Sequence, residues 1–520
     1  AALQHHRRMQ SILVAEYRDR KSQLEARYAE KIGNAEQQEQ ERRLKAIALL
    51  EKFIKDHPAH EQFTPDAMFR LADLYLDQAE YDFERTFDED YVPEDDDEPL
   101  ATADYSKAIG LWEKIVKDFP QYRQKASTLY LLGYYLKQTE EERKALQVFR
   151  GLACSNKYDA MAEPEPAPDP ALARAAFGEP ADTTPVTDYD GCEALTANQE
   201  LLDDVWVRGI GDIHFLTPGE LRQAIASYRK TADNDKSKFF DEALYKLAWS
   251  YYRNDDFELG IQAFDRSVVY SDSLVAKGGE PLELRPEAVQ YIAISFTDPW
   301  SLEEQPDPVR SFDRAMAFYK DRMSEPHVRD VFIALGDTFS ILEAYTQAAD
   351  SYRIAINNWP LEPDNPQIHQ KIVNSYEEMG DSDLADDEAA KLALRYAPGS
   401  EWYNANETNR EAMENQARIG ERMLRAAAEN THKAAQGARQ EYLADPTEDN
   451  RTAYIDLYLK AATLYGNFLK EYPTSDVSYE FTFRLGEVLF FAEKYPEAIE
   501  HYTWVRDHRD LSEERFERAA

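Results

Sequence analysis

Apolar positions along the chain recur at helical spacing, in pairs of short amphipathic segments. From Asp330 to Pro360 the run DVFIALGDTFSILEAYTQAADSYRIAINNWP sets Phe332, Leu335, Gly336 and Phe339 along one helix, then Ala348, Tyr352, Ala355 and Pro360 along a second. Spacings of three and four put such residues on one helical face, which predicts two amphipathic helices folded back on each other. Gly336 and Ala348 are small where the two helices must cross closest, and Pro360 closes the unit. Leu71, Ala72 and Tyr75 pair in the same way with Ala108, Trp112 and Pro120 once an acidic insertion is looped out. Leu132 and Gly133 pair with Ala145 and Phe149, and Leu247, Ala248 and Tyr251 with Gly260 and Phe264. Ile292 and Ala293 pair with Ala315 and Tyr319, and Ile372 and Tyr376 with Ala385. Leu485, Gly486 and Leu489 pair with Ala498 and Tyr502, although Thr482 stands where the first large residue belongs. Weaker signals mark a helix ending at Pro58, a unit around Gly211 and Tyr228, and a helix from Ala461 through Tyr465 and Phe468 to Pro473. The expected fold is all-α, an α-solenoid of about ten helical pairs with a period of roughly 34 residues.

These units resemble the tetratricopeptide repeat family, and the match at 330–360 covers every key position. The resemblance implies a right-handed superhelix that builds binding surfaces and rarely does chemistry. In that family the first-helix positions one and five beyond the first large core residue line the concave groove. That register implies a protein-binding face at Tyr130 and Tyr134, at Tyr245 and Trp249 with Tyr252 following, at Ile333 with Asp337, at Phe483 with Glu487, and at Phe69 with Asp73. The competing reading is that these aromatics cover neighbouring helices. Chaperone-type members clamp a terminal carboxylate with Lys and Asn; this chain offers Asp73, Asp337 and Glu487 instead, although Asn374 matches. Such acids repel a carboxylate terminus and favour a ligand with aromatic, apolar or basic residues.

Charge narrows the partners further. The 520 residues include 99 Asp and Glu against 60 Lys and Arg, a net charge of -39. Such a field repels phosphate backbones and anionic headgroups, so neither nucleic acid nor a membrane surface is expected as a partner. A solvated surface, or a halophilic source, would give the same excess. No stretch approaches 18 uncharged apolar residues, so no membrane-inserted helix is expected, and no signal-peptide pattern opens the chain. The first residue is Ala, which suits a processed or trimmed product and leaves the compartment open.

Two segments break the rhythm. TFDEDYVPEDDDEPLATAD, from Thr86 to Asp104, lacks the glycine and alternating ligands of an EF-hand and reads as a flexible acidic loop. The stretch from about Lys157 to Asn198 contains EPEPAPDPALA and TTPVTDYDGCEAL, which cannot sustain a helix and read as an extended, dispensable insertion. The expected divisions are therefore 1–58, a long helix and capping pair; 59–157, a first repeat arm; 158–202, the insertion; 203–400, a central array; and 401–520, the last pairs with a long helix. Within the last, Glu407 to Leu443 reads as one helix long enough to protrude, while His5 to Ala46 reads as a capping helix or a coiled-coil arm.

Cys154 and Cys192 bracket the insertion and would close it against the solenoid in an oxidising compartment; two free buried thiols are the alternative. DYDG at Asp188 to Gly191 has no later acid in register, so no metal site is expected. The histidines lack HExxH spacing, and there is no GxSxG, P-loop or GxGxxG, so neither an enzyme nor a cofactor is expected. The junctions between units carry a closer resemblance. EYPTSDVSYEFTFRLGEVLFFAEKYPEAIEHY, with looser echoes in KDFPQYRQKASTLYLLGYYL and RYAPGSEWY, looks like the repeats of Gram-negative envelope proteins, such as the outer-membrane barrel assembly lipoprotein and the coordinator of outer-membrane constriction. It implies a periplasmic or outer-membrane-associated scaffold in biogenesis, secretion or gliding motility. The rivals are a cytoplasmic adaptor that binds a peptide segment and an accessory region of a larger enzyme.

Overall fold

The computed structural model describes residues 2–85, 103–168, 189–301 and 304–508, and every regular element among them is helical. The acidic run from Thr86 lies outside these residues up to position 102. The chain forms two compact units, Ala1–Ser250 and Tyr251–Ala520. That division falls inside the 203–400 stretch.

The first unit contains α1 (Ala2–Asp56), α2 (Phe63–Glu84), α3 (Ser106–Asp118), α4 (Lys125–Gln138), α5 (Glu142–Ala153) and α6 (Gln199–Asp204). A π-helical segment, Val205–Gly211, carries α6 into α7 (Asp212–Leu216), and α8 (Leu221–Ala232) and α9 (Phe240–Arg253) follow, α9 running past the division. The second unit continues with α10 (Phe257–Ala276), α11 (Arg285–Thr297), α12 (Pro308–Tyr319), α13 (Pro326–Ile341), α14 (Tyr345–Asn358), α15 (Asn365–Glu378), α16 (Ser382–Arg395) and α17 (Glu401–Asn406). It ends with α18 (Arg410–Ala444), α19 (Glu448–Glu471), α20 (Ser478–Phe491) and α21 (Tyr495–Asp507). Successive helices pack as antiparallel hairpins, α4 on α5, α13 on α14 and α20 on α21.

Close crossing is what the small residues are for. A Cβ on Gly336 would lie 2.5 Å from the Tyr352 ring, and one on Gly133 would lie 2.6 Å from Phe149. Gly211 sits under Tyr228 and Gly486 under Tyr502 in the same way, so the faint unit at Gly211 is a full pair. Phe332, Leu335, Phe339 and Ala348 are fully buried between their helices. Thr482, in the place of a large residue, is buried because its hydroxyl donates to the Ser478 carbonyl at 2.8 Å.

Two expectations change. The long helix α18 does not protrude: Ile419, Leu424, Ala428 and Ala435 are buried, and Tyr442 packs on Tyr454 of α19 with ring centroids 5.2 Å apart. Two helices share its length, α16 and the 24-residue α19 both packing along it. The insertion is not uniformly detached either. Residues 169–188 lie outside the described residues, but Tyr189 is buried and Leu195 donates its N–H to the Leu152 carbonyl at 3.0 Å. Proline-rich composition does not prevent the returning end from packing.

Candidate protein-binding faces

In the first unit, α4, the π segment with α7, and α9 present their charged side chains to one another as a ladder. The Tyr130 hydroxyl donates to the Asp204 carboxylate. Arg208 lies 3.8 Å from Asp204 and donates twice to Glu242 on α9, at 3.0 and 2.8 Å. Lys246 donates to Glu242 and to Asp212, both at 2.8 Å, and Lys137 of α4 stands 3.5 Å from Asp212 on its other oxygen. Burial alone would raise the Glu242 carboxyl, but the hydrogen bonds from Arg208 and Lys246 outweigh it and hold the group below its ordinary value.

The rung at Asp212 recurs in the second unit. Asp212 follows Gly211 and accepts from the Tyr228 hydroxyl at 2.9 Å and from Lys246, 34 residues on. Asp337 follows Gly336 and accepts from the Tyr352 hydroxyl and from Lys371, both at 2.6 Å, with Lys371 again 34 residues on. Lys371 also lies 5.4 Å from the centre of the Tyr352 ring. Asp337, read from the sequence as a groove acid, is therefore neutralised by the next repeat. The signal that would have revealed this is the one-repeat spacing between acid and lysine.

The other projected positions divide. Tyr134 is 44% exposed and Phe483 is 42% exposed. Tyr130 is half-buried and held by Asp204, whereas Tyr245 and Trp249 are half-buried one turn apart, with ring centroids 6.5 Å from each other. Tyr252 is engaged inside the second unit: its hydroxyl donates to Asp298 at 3.1 Å and its ring meets Tyr291 at 5.3 Å. Glu487 is half-buried, and its carboxylate has no hydrogen bond or ion pair among the described residues; burial raises its pKa. Asp73 and Asn374 are exposed, and Phe69 and Ile333 are half-buried.

Tetratricopeptide repeat models match residues 66–122 and 214–273. These two stretches carry tetratricopeptide repeats. Among curated proteins there is no match. Solved structures with similarity include the MamA protein, at 18% identity over 40% of this chain and 95% of that one, with a TM-score of 0.20. They also include Naa15/Naa10 bound to HypK-THB, at 12% identity over 89% of this chain and 61% of that one, with a TM-score of 0.30, and yeast Tom70, at 14% over 90% and 89%, with a TM-score of 0.17.

Between the repeats of the first unit lies a buried polar cluster that sequence reading missed. The Tyr189 hydroxyl meets His214 Nε2 at 2.9 Å and Arg150 Nε at 3.3 Å, and His214 Nδ1 meets Glu220 at 2.7 Å. Arg143 closes it with two hydrogen bonds to Glu220, at 3.0 and 3.1 Å. Desolvation pushes the His214 imidazole below its ordinary value, against the pull of Glu220. Beside the cluster Cys154 and Cys192 are joined, with Cα atoms 4.5 Å apart, and Asn156 Nδ2 donates to the Gly191 carbonyl at 2.8 Å. The cluster is a latch for the returning insertion, since every member is occupied by another. Among the described residues no group of three or more His, Cys, Asp or Glu is placed to hold a metal ion, and no helix is long and apolar enough to cross a membrane.

Proposed function

We propose that this chain is a non-enzymatic scaffold that holds other proteins through the first-helix faces of its repeats, within a bacterial envelope assembly for outer-membrane biogenesis, secretion or gliding motility. The observation that carries it is Tyr134: its ring meets Tyr135 edge-on at 5.1 Å yet stands 44% exposed, three residues before Lys137 of the ladder. Aromatics in such places are where interfaces concentrate their binding energy. The excess of acid favours partner segments with basic, apolar or aromatic residues. The periplasmic or outer-membrane-associated setting draws its support from the junction sequences and from the pairing of Cys154 with Cys192.

Two measurements test this. Capture from the native lysate should lose its partners when Tyr134 is replaced by Ala, a cost of about 2 kcal/mol or more, while the melting temperature holds. Partners retained by Tyr134→Ala would sink the assigned face. For the compartment, the denatured chain isolated from its host should run more slowly on a gel after reductant is added. Two freely alkylated thiols would instead favour the cytoplasmic adaptor.

A further inference from the structure

Three tyrosines of the first unit form one aromatic patch. Tyr135 lies between the other two, its ring edge-on to Tyr105 at 4.8 Å and to Tyr134 at 5.1 Å. Trp112, fully buried, stands behind it with ring centroids 5.4 Å apart. Toward solvent Tyr134 is exposed, while Tyr105 and Tyr135 are half-buried.

Carboxylates of α2 border this patch. Asp73, Asp77 and Glu80 follow one another at i, i+4 and i+7, so they share one stripe of the helix. The Tyr135 hydroxyl is pushed up to about 12, by burial first and then by Glu80, the two flanking tyrosines and Asp73. Burial also raises Tyr105, and Glu80 and Tyr134 add to it. Desolvation, with Asp77 one turn on, raises the Asp73 carboxyl above its ordinary value. At Tyr130, one turn back on α4, Arg208 offsets the neighbouring acid; at Tyr105 and Asp73 no base does so. Bases on the adjoining helices are turned to other groups. Arg43 donates to Glu39 at 3.1 Å and to the Asp77 carbonyl at 3.2 Å, and the Lys107 ammonium stands 5.4 Å from the centre of the Tyr75 ring. Neither Asp73 nor Glu80 has an ion pair or a side-chain hydrogen bond among the described residues. The run 86–102 that joins α2 to α3 contains eight acids and no Lys, Arg or His, so it brings no cation here.

We propose that this patch takes an arginine or lysine side chain from a partner protein, its cationic head lying over Tyr134 and Tyr135 and paired with Asp73 and Glu80. The occupant follows from charge complementarity: tyrosine faces attract a cation, and two carboxylates without a base attract it further. Arginine suits the patch best, since its plane stacks on rings while its fork reaches a carboxylate. The proposal rests on the scaffold reading and deepens it by naming the residue type that this first-helix face holds.

Selection of displayed random peptides on the purified full chain tests it. The expected result is a set of peptides that share an arginine or lysine. One such peptide should bind about tenfold or more weakly once that base is replaced by glutamine, and by a similar factor to a chain carrying Asp73→Asn with Glu80→Gln. Tyr134→Phe, which keeps the ring, should bind as the parent does. Asp235→Asn with Glu411→Gln neutralises two exposed acids elsewhere and should leave binding unchanged. Melting curves verify that each variant remains folded. Selected peptides without a base overturn the proposal. So does binding that survives Asp73→Asn with Glu80→Gln, or that falls equally with the control pair, since net charge is then the attraction. Peptides that need Tyr134 but neither acid overturn the cation site alone and leave the scaffold face standing.

Discussion

A buried aromatic over a glycine and an acid tied to a lysine one repeat later are the two side-chain devices that define this molecule. The first is local, with Gly336 and Tyr352 sixteen residues apart, and its steric demand is written directly in residue size. That is why the pairs at Gly336, Gly133 and Gly486 were legible in sequence. The second was not, because in a chain with 99 acids the pairing of Asp337 with Lys371 looks like chance until the helices are in place. Gly336→Ala should cost about 1–3 kcal/mol in denaturant unfolding, because the added methyl meets the Tyr352 ring at 2.5 Å in a filled interior. Lys371→Ala should cost less than that while leaving Asp337 half-buried with only the Tyr352 hydroxyl. His369 is buried, and desolvation holds its imidazole below the ordinary 6.5 even though Glu388, 2.9 Å away, pulls it upward. The unfolded chain then binds the proton first, so stability from this site is present above 6.5 and is lost as pH falls below it. Glu388 acts in the same direction: burial would raise it, but His369 and Lys391 hold it at about 2, so its contribution is lost on acidification below its ordinary 4.5. Stability measured from about pH 7.5 to about pH 5.5 should fall less steeply in His369→Gln than in the parent; equal slopes would remove His369 as the cause.

Elements were legible where the hydrophobic period of 3.6 was strong and illegible where the backbone departed from it. The π-helical Val205–Gly211 has no composition cue, and it turns Trp206 inward so that its carbonyl accepts from Ser227 at 2.6 Å. The returning end of the insertion was read as dispensable because proline and acid dominate the stretch, yet one tyrosine decides its fate. Tyr189 fills the space between Arg150, His214 and Trp206. Tyr189→Ala should therefore cost about 3 kcal/mol or more. A melting curve unaltered by Tyr189→Ala would return this segment to the status of a detached loop. Reduction of Cys154–Cys192 should lower the same melting transition, because the closed loop spans 38 residues and restrains the unfolded chain.

At the scale of the whole molecule, repeats explain how each of the two units builds its core helix pair by helix pair. The helix-pair fold was readable from apolar spacing alone, since each repeat needs only its neighbours. Of the groove positions projected from the register, Tyr134 and Phe483 are exposed, while Tyr252 and Asp337 are drawn into contacts between helices that no single repeat encodes. The most direct measurement of the central claim is hydrogen exchange on the chain, alone and with the partner it captures. Binding through first-helix faces predicts slowed exchange in Lys125–Gln138 and Phe240–Arg253, with Glu142–Ala153 unchanged. Protection confined to the second helices, or none on either, would contradict it.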